Sequence, residues 1–466
     1  MAGASRREYL GLVRTLFACG RFALVVLAPL TGCGTADTGA DRPPRQHPDT
    51  GDTGADPDPV PASQDVISTD LHLDLKSLKG HAVVTVVTAG DADAIHLKVG
   101  DLVISTVKLD GADAEYTVID DRIKVPAAAG SHELDVNYSF SAHEEWAGWM
   151  PKEGLTFDWP YFCGNLFPCN PDTADGLTFT FDVTGYADEM TAVYPTEIAA
   201  EAPPYMLAVA VADFTETDLG TTTAGTDVSL WTLPGGLDNG LQGTKNLVAG
   251  FDFLEQTYGP YSFGDHVGTV EAAWSDLGGM EHHPYWHSST ESMRSEEVHI
   301  HEAAHGWYGD GVRLECWEDL TLSEGTTSYI AGRALAESGG PDLFETYIEE
   351  LDYLCADGSP ANTIAMPTTC GAIDILEDPL WSMVPYMKGA CFYEDVSHVI
   401  GTEALDLILA DFYQQHVGGA ARMGDMVEFI RAEVPAEQMA AYDDAVKVWL
   451  EDLACPSDYA ERCTAG

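Results

Sequence analysis

From Val66 to about Asp213, apolar and polar residues alternate in short runs such as Leu71-His72-Leu73-Asp74-Leu75 and Ala82 to Val87, broken by glycine and aspartate turns. A period of two buries one face of a strand, so this stretch predicts a β-rich domain over 64–215. After Phe214 the period lengthens. Apolar residues then recur at three and four positions, which predicts helices over Leu247 to Tyr258, Glu296 to Tyr308, Gly325 to Ala336, Tyr386 to Ile400 and Asp425 to Ala432. The second domain, 216–466, therefore reads as mainly helical, and the fold class as α+β. No internal repeat is visible.

The first 63 residues follow neither pattern. Arg6, Arg7, Arg14 and Arg21 precede a nine-residue apolar run, Phe22 to Leu30, followed by Thr31-Gly32-Cys33. Such a run is too short to span a bilayer and fits the core of a signal peptide over 1–32. Leu30-Thr31-Gly32-Cys33 resembles a bacterial lipobox, which implies a lipid on Cys33 as the only membrane attachment, and Ser5-Arg6-Arg7 weakly resembles a twin-arginine export signal. Residues 33–63 are rich in Asp, Thr, Gly and Pro, with little to bury, and read as an acidic flexible tether.

Charge narrows the partners. The chain holds 22 basic and 76 acidic residues, a net of −54; without the four arginines and one glutamate of residues 1–32 the balance is 18 against 75, or −57. A surface this negative repels phosphate backbones and anionic lipid, which excludes nucleic acid as the main partner. Eight cysteines follow Cys33, an even number that favours disulfides in an exported chain. The pairing stays open; Cys163 with Cys169, Cys355 with Cys370 and Cys455 with Cys463 are close in sequence.

One segment carries chemistry. In Val298-His299-Ile300-His301-Glu302-Ala303-Ala304-His305, the two outer histidines of H-E-x-x-H are four apart, so a helix places both imidazoles on one face, where they can grip a zinc ion. Glu302 then sits beside the metal as a candidate base for a hydrolytic water. Eighteen residues separate His305 from Glu324. The run HEAAHGWYGDGVRLECWEDLTLSEGTTSYI resembles the gluzincin aminopeptidases of the aminopeptidase N and leukotriene hydrolase group. Gly278-Gly279-Met280-Glu281-His282 resembles that family's Gly-x-Met-Glu-Asn strand, and Val384-Pro385-Tyr386-Met387-Lys388-Gly389 its catalytic-tyrosine segment. Weaker likenesses at Tyr205 to Val209, Phe167-Pro168-Cys169 and Gly259-Pro260-Tyr261 extend the match over roughly Asp65 to Ile400.

The resemblance implies an antiparallel, saddle-like β sandwich followed by a thermolysin-like catalytic domain. It assigns one Zn2+ per chain to His301, His305 and Glu324, the general base to Glu302, oxyanion support to Tyr386, the substrate's α-amine to Glu281, and backbone pairing with substrate to Gly279 and Met280. The implied activity is removal of N-terminal residues from peptides with a free amine. A metalloendopeptidase on the same scaffold and a non-catalytic peptide-binding relative are the alternatives. The family's asparagine is His282 here, followed by His283 and His287, which raises either a tuned amine pocket or a second metal. Relatives with a further helical domain after this region imply that this shorter form has an open cleft. Oligomeric state and first-position preference leave no mark in the sequence.

Overall fold

The alternation at Leu71 to Leu75 belongs to a strand, Gln64–Asp74, in which Val66, Leu71 and Leu73 are buried while Asp65, Asp70 and His72 face solvent. In the computed structural model the described residues are 64–464, apart from 91, 145, 275–276, 358–362 and 372. The signal segment, Cys33 and the tether lie outside them. Gln64–Asp74 is the third strand of a seven-stranded sheet, flanked by Leu177–Thr184 and Glu197–Ala202 on one side and by Lys79–Thr88, Gly130–Ser139, Val103–Leu109 and Ala112–Asp113 on the other. Neighbours run antiparallel except Gln64–Asp74 beside Leu177–Thr184, which pair in parallel from Ser68 with Thr178 to Asp74 with Thr184. A second sheet, Ala94–Lys98, Arg122–Pro126 and Thr117–Ile119, shares its core: Ile95, Leu97, Ile123 and Val125 pack with Val84, Val86, Leu134 and Val136.

A four-stranded sheet of Gly148–Met150, Leu155–Phe157, Ala210–Ala212 and Thr191–Val193 turns the other way. Its Met150, Leu155, Phe157 and Ala210 belong to the core of the helical half. Arg313, 3% exposed, strengthens that junction by donating to the Ala174 and Glu201 carbonyls. The β-rich half thus forms one wall of the helical half.

The helical half begins with a sheet that its helical periodicity does not announce. Thr215–Thr221, Asp227–Thr232, His266–Ala272, Tyr285–Ser289 and Gly279–Met280 lie side by side, with parallel pairing at the centre. His266–Ala272 is buried from Val267 onward. A strand covered on both faces loses the alternation that reveals a half-exposed one. Four of the five expected helices follow the pattern, while the one expected over Glu296 to Tyr308 stops at Ala304, where the chain turns into the short strand Tyr308–Gly309. In Leu247–Tyr258, Leu247, Phe251, Leu254 and Tyr258 form the buried stripe, and Gly259 at φ +118° ends the helix. Each such side chain contributes about 1.5–3 kcal/mol on burial. Thr326–Glu337, Met383–Ile400 and Met423–Glu433 agree with the periodicity to within three residues at each end. Among the described residues, no helix is long and apolar enough to cross a membrane.

Among the described residues four disulfides close the frame: Cys163–Cys169, Cys316–Cys370, Cys355–Cys455 and Cys391–Cys463. Only the first joins neighbours in sequence. Cys355 lies in the helix Leu343–Asp357 and Cys391 in Met383–Ile400, and the segment after the helix Met439–Ala445 wraps back across both, so packing rather than proximity along the chain selects their partners. The same segment takes the buried Lys388 Nζ on the Asp452 carbonyl at 2.6 Å, while Arg462 pairs with Asp395 and Asp444. Cys355–Cys455 spans 100 residues. Replacing both cysteines by serine is expected to lower stability by about 4 kcal/mol, read as a shifted midpoint in denaturant unfolding.

Candidate metal and catalytic site

The helix Glu296–Ala304 starts at Ser295, whose side chain accepts from the Val298 amide at 3.3 Å, with Glu296 and Glu297 in the first turn where the helix dipole favours acids. Its far end presents His301 and His305. Their rings meet edge to face, with the two Nε2 atoms 3.1 Å apart. Glu324 Oε2 lies 3.2 Å from His301 Nε2 and 3.4 Å from His305 Nε2. Donors about 2.0–2.1 Å from a tetrahedral ion stand about 3.3 Å from one another, so this triangle fits zinc. On the other side of the ring, His305 Nδ1 lies 3.0 Å from the Tyr308 carbonyl. That contact puts the proton on Nδ1 and leaves the Nε2 lone pair facing the centre.

Glu324 sits on a single π turn, Thr321–Gly325, which carries it out of ordinary helical register toward the histidines. Gly325 then meets Gly389 on the Met383–Ile400 helix. A Cβ on Gly389 would stand 2.6 Å from the Gly325 Cα, so the two backbones touch with no side chain between them. This crossing brings Tyr386 to the site. Its ring stacks on His301, centroids 5.8 Å apart, with its hydroxyl turned toward Glu324.

The remaining expected residues converge on the same point. Gly279–Met280 is the edge strand of the five-stranded sheet and pairs with Ser288 and His287. Its glycine leaves room for Glu302, since a Cβ there would lie 2.3 Å from Glu302 Oε1 and push that side chain aside. Glu281 follows, and ligand atoms of Glu281, Glu302 and His305 all lie within 4.8 Å of one another. Burial pushes the Glu281 carboxyl up to about 7 and raises Glu302 further above its usual range. Burial pulls His305 down, but the Glu324, Glu281 and Glu302 carboxylates outweigh it and favour positive charge at its ring, which a cation at Nε2 supplies in place of a proton. The cluster calls for positive charge at its centre, which is the chemistry of a cation site.

Some neighbours escape a motif search. The Tyr205 hydroxyl faces the Glu281 and Asp310 carboxyls from the β-rich half, and Asp310 is fully buried. Tyr205 lies in a segment already noted as a weak likeness; Asp310, five residues after His305, carries no periodic signal. Trp159, Trp317 and Trp381 stand together, with Trp159 5.6 and 5.5 Å from the other two rings, and Tyr205 is 6.0 Å from Trp317. The extra histidines split. His282 and His287 face each other, Nδ1 to Nδ1 at 3.0 Å, and among the described residues no third ligand joins them, so the structure gathers no second metal site there. His283 points elsewhere, to the Glu302 carbonyl.

A β-rich half closing on a helical half that offers two histidines and a glutamate is the architecture of two-domain zinc metallopeptidases. Residues 279–449 match the model of the Peptidase family M1 domain. The M1 zinc metallopeptidase of Deinococcus radiodurans superposes with a TM-score of 0.69 at 18% identity, covering 86% of this chain and 97% of that one. Yeast LTA4 hydrolase gives 0.71 at 16% identity, over 85% of this chain and 69% of its own. These likenesses show the fold. By sequence, leucine aminopeptidase 2 of Neosartorya fischeri is 22% identical over 408 residues, 75% of this chain and 63% of the fungal protein. Human aminopeptidase B is 22% identical over 252 residues, half of this chain and 36% of its own length. The chain thus spans less than two thirds of the curated relatives it matches.

The Gly325–Gly389 contact is testable by itself. Gly389→Ala is expected to cost about 1–3 kcal/mol through overpacking against the neighbouring backbone, measured by denaturant unfolding.

Proposed function

We propose that the protein is a zinc-dependent aminopeptidase that removes N-terminal residues from peptides, with one zinc per chain held by His301, His305 and Glu324. The observation that carries this reading is the position of Glu281: a buried carboxyl beside Glu302 and His305, at the end of an edge strand. A free α-ammonium paired there would place the first peptide bond of the substrate at the histidines. A form of the Deinococcus radiodurans enzyme solved with a Tyr-Ser-Ala substrate, at 20% identity and a TM-score of 0.71, supports peptides as the substrate class.

Bound at the three ligands, zinc supplies Lewis acidity that acidifies water and polarises a carbonyl. Glu302 takes one proton from the attacking water and delivers it to the departing amine nitrogen as the C–N bond breaks, a shuttle favoured by a carboxyl whose affinity for protons burial has raised. Tyr386 donates its hydroxyl to the oxyanion developing on the scissile carbonyl. Gly279 and Met280 lend their free backbone edge to the substrate as an added strand. Glu281 anchors the amine and so sets the cut one residue from the end.

Glu302→Gln is expected to keep its zinc by metal analysis yet lose at least about a hundredfold in kcat on leucine anilide. Chelation should abolish activity and added zinc restore it. Acetylating the substrate amine should remove turnover, whereas equal cleavage of blocked and free peptides would point to the endopeptidase instead.

For location, we propose export and lipid attachment at Cys33. The lipobox-like Leu30-Thr31-Gly32-Cys33 and the disulfide-bonded domains support it. Cys33→Ala should move the protein from the membrane fraction to the soluble one.

A further inference from the structure

Glu302 stands where its helix runs out of backbone partners. The end closes through His305 N to His301 O at 3.3 Å, Gly306 N to Ala303 O at 3.2 Å and Trp307 N to Ala304 O at 3.0 Å. That tightening passes over the Glu302 carbonyl, one of the orphans a helix C-terminus leaves. The His283 ring fills the place, its Nε2 2.9 Å from that oxygen. Its other nitrogen, Nδ1, lies 2.7 Å from the Tyr261 hydroxyl.

These two contacts determine each other. A neutral imidazole carries one N–H, and a carbonyl can only accept, so Nε2 holds the proton and Nδ1 accepts from the tyrosine. Burial keeps the ring neutral by pulling its pKa down to about 3. The Asp310 carboxylate is 4.0 Å away, beyond hydrogen-bonding distance. Sterics point the same way: a Cβ on Gly306 would lie 2.5 Å from the Tyr261 ring and 3.2 Å from His283. The Tyr261 ring is itself fixed edge to face against Phe251 and Phe263. Glu302 is therefore held at both ends, its carbonyl by His283 and its carboxylate against the Gly279 backbone.

We propose that Tyr261 and His283 are positioning residues, a hydrogen-bonded brace that fixes the Glu302 backbone and thereby the reach of its carboxylate. The proposal rests on Glu302 being the general base. It also gives a use to the histidine that follows the strand motif's His282. The brace touches no metal ligand, so its loss should leave zinc and substrate binding in place and slow the chemical step.

The test uses the full-length zinc-loaded protein with leucine anilide. His283→Leu should lower kcat about tenfold or more, since small misplacements of a reacting group are costly, with KM within about twofold and zinc content unchanged. His283→Gln puts an amide N–H the same number of bonds from Cβ as Nε2 and should recover most of that loss. Tyr261→Phe keeps the ring packing, removes the donor that fixes the tautomer, and should give a smaller fall in kcat alone. Equal impairment of the leucine and glutamine variants would overturn the brace, as would zinc loss in step with activity. If His283→Leu does not fold, an unchanged kcat in Tyr261→Phe overturns it. Glu302→Gln, measured alongside, separates the two levels: full activity there removes the base assignment itself, whereas an inactive Glu302→Gln with unaffected His283 and Tyr261 variants removes only the brace.

Discussion

Glu281, Glu302, Glu324 and Asp310 are each less than a tenth exposed, and all press on His305 or its immediate surroundings. Burying one carboxylate is costly, and burying several together is tolerable only around positive charge. The rest of the structure can be read as a consequence of that demand. Three ligand atoms face a common centre, His305 directs Nε2 inward because its Nδ1–H donates to the Tyr308 carbonyl, and Glu281 adds a further buried carboxyl beside His305 and Glu302. The β-rich half takes part because the helical half alone does not enclose these groups; Tyr205 and Phe157 come from it, and Phe157 packs 5.8 Å from the His282 ring.

The sequence made some of this legible and hid the rest for physical reasons. His301 and His305 share a helix face by spacing alone, and strands such as Gln64–Asp74 show plain alternation because one face is wet. Glu324 and Tyr386 required resemblance to a family, since a residue on a π turn and one on a crossing helix are placed by tertiary contact. The sheet through His266–Ala272 was invisible because burial on both faces erases its period. Disulfide partners 54 to 100 residues apart follow packing, which no spacing rule encodes. Asp310 stayed silent, and Tyr261 stood out only within a weak likeness, because their surroundings exist only where separate segments meet.

Three histidines after Glu281 looked alike as a cluster, yet the fold gives them different tasks. His282 and His287 pair through their Nδ1 atoms beside Trp274, leaving the His282 Nε2 buried without a partner, whereas His283 serves a helix end on another element. A histidine's chemistry is set less by its neighbours in sequence than by what each ring nitrogen meets, because one proton must serve two positions.

The contact between Gly325 and Gly389 has a consequence for how the cleft can adapt. Two backbones in direct contact offer no rotamer to change, so the spacing between the Glu324 turn and the Tyr386 helix is a hard stop rather than a spring. Any change in the width of the cleft must then fall elsewhere, at the edge strand Gly279–Met280 and among the half-buried rings of Trp317 and Trp381. The side of the cleft built by Glu324 and Tyr386 stays fixed in dimension, and plasticity is confined to the side that faces it.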